Sequence, residues 1–221
     1  MATIGGNLIN ASPIGDMTIW FLALDAEIVF GHGRHMPLKN LYLDYKKLAK
    51  TDSEFIKAVR FPKPASDFRF NFEKVCKRTY LDIATVNTAI SLTVEGIPGK
   101  DWTPPALTSG DQFSTHEAWL ADAFNEKGGP PGQQIEFTIK ACHAAAGGVA
   151  PVPLYLRETS EFLVGKEINE DVIAAANEIM QAEISPISDV RGTAEYKRLL
   201  LRQLFRAHFL ELFATKFSER N

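Results

Sequence analysis

The sequence predicts an α+β protein of two domains, and three stretches carry that expectation. Residues 68–75, Phe-Arg-Phe-Asn-Phe-Glu-Lys-Val, alternate apolar and polar side chains as a strand with one inward face does. Residues 17–24 are apolar almost all round, the pattern of a helix buried against a sheet. Leu200, Leu201, Leu204, Phe205, Phe209, Leu212 and Phe213 form a broad apolar stripe on a long helix, expected from Thr193 to about residue 216.

The adjacent glycines Gly5 and Gly6 are expected to form a turn that brings backbone close to a ligand with no Cβ in the way. Amides left free in such a loop converge on an anion. Asn7 and Asn10 add amide groups at a spacing that follows a polyhydroxy chain. Ser12-Pro13 reads as an N-cap followed by a proline at the first helical position, which puts Asp16 in the first turn. A helix N-terminus attracts phosphate. A carboxylate repels it, so Asp16 is expected to accept hydrogen bonds from sugar or ribityl hydroxyls.

Residues 26–30 alternate as a strand and Gly31-His32-Gly33 as a turn. Residues 34–53 read as a loop or short helix anchored by Leu41, Tyr42 and Tyr45, and 55–61 as a strand stopped by Pro62 and Pro64. Propensity leaves 83–94 open between helix and strand. Residues 134–143 read as a strand with Ile135, Phe137 and Ile139 on one face, Gly147-Gly148 as its end, and 152–156 as a third strand. The Gly- and Pro-rich stretch 98–133 is an insertion, with a short helix one reading of 115–124. Helices follow at about 159–164, at 169–183 capped by Asn169, and from Thr193, with Gly192 permitting the bend before it.

Composition narrows the function. Hydrophobic content of 45% and charged content of 23% over 221 residues are ordinary for a globular chain. A net charge of −3 argues against a nucleic-acid partner. No apolar run reaches the roughly 20 residues that span a bilayer, and no basic segment precedes an apolar core as in a signal peptide. Cys76 and Cys142 are too far apart to make a zinc or iron–sulfur spacing. A reduced, cytoplasmic chain without membrane or metal is expected. His32 and His35 read as surface residues, and His208, on the apolar stripe, as a hydrogen-bonded core histidine.

Residues 3–16, TIGGNLINASPIGD, resemble the second FAD-binding motif of the molybdenum hydroxylase flavoproteins, the xanthine dehydrogenase family. Three more stretches run in that family's order: Val59-Arg60-Phe61-Pro62, then 74–84 (KVCKRTYLDIA), then 188–196 (SDVRGTAEY). The resemblance implies that residues 1–82 are the second half of an FAD-binding (PCMH-type) domain with a mixed sheet. Residues 83–221 would be a CO-dehydrogenase-flavoprotein-like C-terminal domain, a three-stranded antiparallel sheet on three helices, with 83–94 its first strand and 98–133 inserted.

It further implies that Gly5, Gly6, Asn7, Ile9, Asn10, Ser12 and Asp16 bind FAD, and that Ile56 packs near the flavin ring. Lys74 would lie against the isoalloxazine and stabilise the negative charge that reduction places on its N1–C2=O side. Arg78, with Lys77, Tyr80 and Asp82, would belong to a loop that controls nicotinamide access. Tyr80 and Leu81 stand where the family has more acidic residues, so the choice between NAD and dioxygen is not carried over. In the family a nucleotide-binding subdomain precedes TIGGN, whereas only Met1 and Ala2 precede it here. A complete FAD site is therefore expected to need a missing amino-terminal subdomain.

The implied role is the FAD component of a xanthine-dehydrogenase-like enzyme, with no catalytic side chain of its own. It would pass electrons from iron–sulfur clusters to FAD and on to NAD, the clusters and molybdopterin residing on partner chains or domains. The NASPIGD form favours purines. Carbon monoxide, aldehydes, nicotinate or aromatic acyl-CoA are the alternative substrates, and a truncated docking module is the alternative role. The stripe on the last helix leaves room for a homo-oligomer.

Overall fold

Two antiparallel sheets share one buried helix. The computed structural model describes residues 3–77, 83–98 and 135–217. After α1 (Ile4–Asn10) and α2 (Asp16–Ala23), the first sheet runs in the order β2 (His35–Pro37), β1 (Glu27–Phe30), β5 (Ile56–Arg60). A 3-10 turn (Leu38–Asn40) and a hairpin of β3 (Tyr42–Asp44) and β4 (Lys47–Leu48) fill the connection from β2 to β5. The second sheet is the consecutive series β6 (Phe68–Cys76), β7 (Ala84–Pro98), β8 (Ile135–Gly147), β9 (Leu154–Tyr155). Helices α3 (Arg157–Leu163), α4 (Glu170–Glu183) and α5 (Ala194–Leu212) follow, with a last turn α6 (Ala214–Phe217).

The α+β class is the one expected, with two differences inside it. The first sheet is antiparallel in both its pairings, where a mixed sheet was expected, because the turn at Gly33 (φ 96°) folds β2 directly back on β1. The second sheet has four strands, not three. The strand at 68–75, assigned by resemblance to the first half, pairs with β7 from Phe68↔Thr93 to Cys76↔Ala84. Its two faces explain why it belongs there. Phe70 and Phe72 meet Trp20 of α2, with ring centroids 4.9 and 5.8 Å apart. Asn71 points to the opposite side, towards α5.

Strand β7 explains why 83–94 was ambiguous. Ala89 joins the core around α2, while Val86, Ile90 and Leu92 join the core under α3–α5. A strand covered on both faces loses its alternation and reads as a plain apolar run. Asn169 caps α4 by accepting from Val172 N at 2.9 Å, and Thr193 caps α5 through Tyr196 N at 3.1 Å. Residues 34–53 form the short strands and one 3-10 turn in place of a loop or helix. Arg34 explains their order: its Nε and Nη2 each donate to the Glu54 carboxylate at 2.8 Å, and its guanidinium lies 4.2 Å from the Phe30 ring centre. That hydrogen-bonded pair holds the Glu54 carboxyl down at about 2. The insertion, including 115–124, lies outside the described residues from 99 onwards.

His32 and His35 are at the surface, within 3.3 Å of Glu54 and 2.8 Å of Glu27. His208 is fully buried, as its place on the stripe predicted. Asn71 Nδ2 donates to its Nδ1 at 3.1 Å, which leaves Nε2 to donate to Thr88 Oγ1 at 3.4 Å; Thr88 in turn donates to Ala145 O at 2.9 Å. With no anion on the ring, burial pushes His208 down to about 3.

Candidate functional site

The glycine pair is helical, not a turn. Thr3 caps α1 by accepting from Gly6 N at 3.0 Å, and Asn7 N returns to Thr3 O at 3.0 Å. Glycine is a poor helix former, but here it fills the first turn, where a Cβ on Gly6 would stand 2.8 Å from Thr3 Oγ1. Buried Leu8 anchors the opposite side of the helix. Gly5 faces open space, with nothing within 4 Å of where its Cβ would be. Ile4 and Gly5 line an open cleft of about 340 Å³ with Phe21, Phe61 and residues 56–59 of β5. The resemblance placed Gly5 and Ile56 at one cofactor, and the fold brings both to this one cleft. Ile9 and Asn10 are exposed on α1.

Ser12 does not cap α2. The helix starts at Asp16 with Gly15 at the N-cap position and no side-chain bond from it. Ser12 instead closes a turn by accepting from Gly15 N at 3.1 Å. The cap comes from Asn7, eleven residues back: its Oδ1 accepts from Thr18 N at 3.2 Å and Thr18 Oγ1 at 3.1 Å. A Cβ on buried Gly15 would stand 3.0 Å from that same oxygen, which keeps this junction closed to larger residues. The hairpin β3–β4 clamps the other end of α1. Tyr42 Oη donates to Leu8 O at 3.1 Å, and Lys46 Nζ bonds Asn10 through its backbone oxygen and, at 3.1 Å, its Oδ1. Burial raises Tyr42 to about 12, so it stays a neutral donor.

Asn7→Ala removes a helix cap supplied from outside the helix. We expect a loss of about 1 kcal/mol, read as a lower urea midpoint with an unchanged denaturant slope.

Asp16 and Lys74, 58 residues apart, are paired: Lys74 Nζ donates to Asp16 Oδ2 at 2.8 Å. The other carboxylate oxygen accepts from Asn87 Nδ2 at 2.6 Å. Lys74 and Asn87 are direct partners in the β6–β7 register, so both side chains emerge side by side on the face that α2 covers. The pair is partly open, with Lys74 25% and Asp16 40% exposed. Arg78 lies outside the described residues, as do Tyr80, Leu81 and Asp82.

A second pocket, of about 460 Å³, begins where Ser12, Pro13 and Ile14 lead into Asp16. Lys46, Arg191 and Lys197 bring positive charge to its wall, and Thr85, Gly148 and Ser185 line it elsewhere. Lys197 is buried and donates to Asp189 Oδ2 at 2.8 Å and Ile187 O at 2.9 Å. Burial opposes charge on Asp189, but the Lys197 bond and the Arg191 amide outweigh it and hold the carboxyl below its usual range. Gly148, at φ 82°, donates to Pro13 O at 2.9 Å and docks the end of β8 on this turn. A Cβ there would stand 2.4 Å from Thr85 O.

Sequence reasoning missed Asn87, Lys46 and Arg191. For Asn87 there was a signal: an amide inside a run that is otherwise Ala, Thr, Ser, Val, Ile and Leu. Arg191 stands in a stretch that reads as a helix-capping turn, and Lys46 in a loop. Neither local pattern tells of the pocket they share.

Comparison with known proteins gives the site its context. Residues 1–64 match the FAD binding domain in molybdopterin dehydrogenase, and residues 134–212 match the CO dehydrogenase flavoprotein C-terminal domain. Xanthine dehydrogenase 1 of Arabidopsis thaliana is 28% identical over 217 residues, 95% of this chain and 13% of that protein. The carbon monoxide dehydrogenase medium chain of Afipia carboxidovorans is 27% identical over 200 residues, 89% of this chain and 55% of that one. Among solved structures, reconstituted CO dehydrogenase from Oligotropha carboxidovorans has a TM-score of 0.69 at 23% identity, over 94% of this chain and 59% of that chain. Carbon monoxide dehydrogenase from Hydrogenophaga pseudoflava, lacking the Mo-pyranopterin moiety of its cofactor, has a TM-score of 0.71 at 21% identity, over 96% and 61%. The structural likeness shows the fold. The chain spans about an eighth of the plant enzymes it matches and a little over half of the medium chain.

Proposed function

We propose, of a chain that belongs to the FAD-binding flavoprotein family of the molybdopterin dehydrogenases, that it serves as the flavin component of a xanthine-dehydrogenase-like molybdenum hydroxylase. Electrons would come from iron–sulfur clusters and leave to NAD. Molybdopterin and the clusters would sit on partner chains or domains. The observation that carries the reading is the meeting of Gly5 with Ile56 at one open cleft, and of Asp16 with Lys74 at the start of α2.

These residues fit the cofactor. Gly5 leaves backbone uncovered where a Cβ would fill the space. Ile56, Val59, Phe21 and Phe61 give the cleft an apolar wall for a ring. Cavities of a few hundred Å³ are the usual size of ligand sites, and this one, open on one side, fits part of a dinucleotide. A flavin held here would supply two-electron redox chemistry, taking up an electron pair and passing hydride on. Neither Lys74 nor Asp16 lines this cleft; on the family resemblance Lys74 would set a cation near the ring, and Asp16 keeps that cation in place. The pocket of about 460 Å³ next to Asp16 suits NAD: Lys46 and Arg191 offer cations for its phosphates. Substrate choice between purine and the carbon monoxide, aldehyde, nicotinate and acyl-CoA alternatives would lie on the molybdenum-bearing partner.

A tag on this chain, used to purify the complex from its own source, tests the reading. Flavin and iron–sulfur absorption with bound molybdenum are expected, and a colourless, metal-free preparation overturns it. Rapid flavin reduction by NADH supports NAD as the acceptor; reduction only by the enzyme's organic substrate overturns that part.

Lys74→Met is expected to lower the flavin midpoint potential with little loss of flavin. A partly exposed cation close to the ring contributes about 1–3 kcal/mol, which for a two-electron couple is roughly 20–60 mV. Reductive titration against a reference dye measures it.

A further inference from the structure

We propose that Asn87 is a positioning residue that fixes Lys74 through Asp16; the inference rests on the flavin reading of that pair. Its Nδ2 donates to Asp16 Oδ1 at 2.6 Å and to Ile14 O at 3.4 Å. The residue is fully buried, and its own Oδ1 has no hydrogen-bond partner among the described residues. A buried carbonyl without a donor is destabilising. Packing alone would therefore place an apolar residue here, as at Ala89 two positions along the same face.

The fold makes room for this amide and sets its orientation. A Cβ on Gly147 would stand 2.1 Å from Asn87 Oδ1 and 2.7 Å from Pro13 O, so only glycine lets the amide sit where it does. Turned about its last bond, the amide would set its oxygen against a carboxylate oxygen at 2.6 Å, so Nδ2 has to face Asp16. Asp16 thus takes a neutral donor on one oxygen and Lys74 on the other. Because Lys74 and Asn87 are cross-strand partners, the carboxylate descends from α2 and bridges them. The neutral arm pins the carboxylate, and the pinned carboxylate holds the cation that would otherwise extend into water. Asn87 therefore governs the charge the flavin meets without touching the flavin.

Two readouts test this. In the purified protein, an acetylating amine reagent followed by mass spectrometry is expected to label Lys74 several-fold faster in Asn87→Leu than in the unchanged chain, with Lys39 and Lys166 as unaffected controls. Equal labelling of Lys74, or a rise shared by the controls, overturns the proposal. In flavin-loaded protein, Asn87→Leu is expected to shift the midpoint potential negatively, and Asn87→Leu with Lys74→Met to lie no lower than Lys74→Met alone. An unchanged or positive shift, or an additive one, overturns it. Should the leucine variant fail to fold, Asn87→Ser, too short to reach Asp16, gives the same comparisons. A native preparation without flavin removes the flavin reading alone, and the labelling result then decides the positioning role by itself.

Discussion

Taking the protein from pH 6.5 to pH 4.5 is expected to remove about 2–3 kcal/mol of stability through His208. The buried ring resists protonation down to about 3, whereas in the unfolded chain it takes up a proton near 6.5. Between those values the unfolded state binds one more proton than the folded state. Stability therefore falls as pH falls through this window and levels off below about 3. The upper half of the window lies above the range in which Glu54 loses its bond to Arg34, so the two effects separate. His143 is also held down, first by burial, and adds in the same direction. Urea unfolding at several pH values measures the slope. His208→Gln, which cannot titrate, should flatten it. A slope that survives in the variant would assign it to other groups.

Phe205→Ala is expected to cost about 3–5 kcal/mol, a large share of the roughly 5–15 kcal/mol that holds a domain folded. The ring is fully buried on α5, packs edge-on against Phe209 at 5.5 Å, and sits in the core formed with Ile90, Leu92 and Met180. Its removal leaves a cavity that a helix tied at Thr193 and a four-stranded sheet cannot collapse to fill. Leu199, half exposed on the same helix, is the control; Leu199→Ala should stay within about 0.5 kcal/mol. Unfolding midpoints of the two variants, compared at constant denaturant slope, decide the matter.

What the sequence made legible was whatever it repeats locally. Alternation found β6, all-round apolarity found α2, Asn169 and Thr193 marked their helices, and the apolar stripe placed His208 in the core. What stayed hidden came from distant residues. Ser12 looked like a cap because serine before proline usually is one, but the helix begins later, at Asp16, and Asn7 from the previous helix takes the Thr18 amide. Gly5-Gly6 looked like a turn because its helix is stabilised at Thr3, Leu8 and Tyr42, 39 positions away from the first of these. The pairing of Asp16 with Lys74 needs α2 laid across β7 and β8 with β6 alongside, and no spacing in the chain announces that. The mixed sheet failed for a like reason: strand direction is set by a turn at Gly33 and by partners, not by the strand's own residues.

Helix α2 has one more consequence. Its side chains are wedged between Ile28, Phe30 and Leu38 on one side and Ala89 and Ala145 on the other. Neither sheet can lose this helix without baring its own interior to solvent. Unfolding is therefore expected to run as one cooperative step in which the two sheets come undone together.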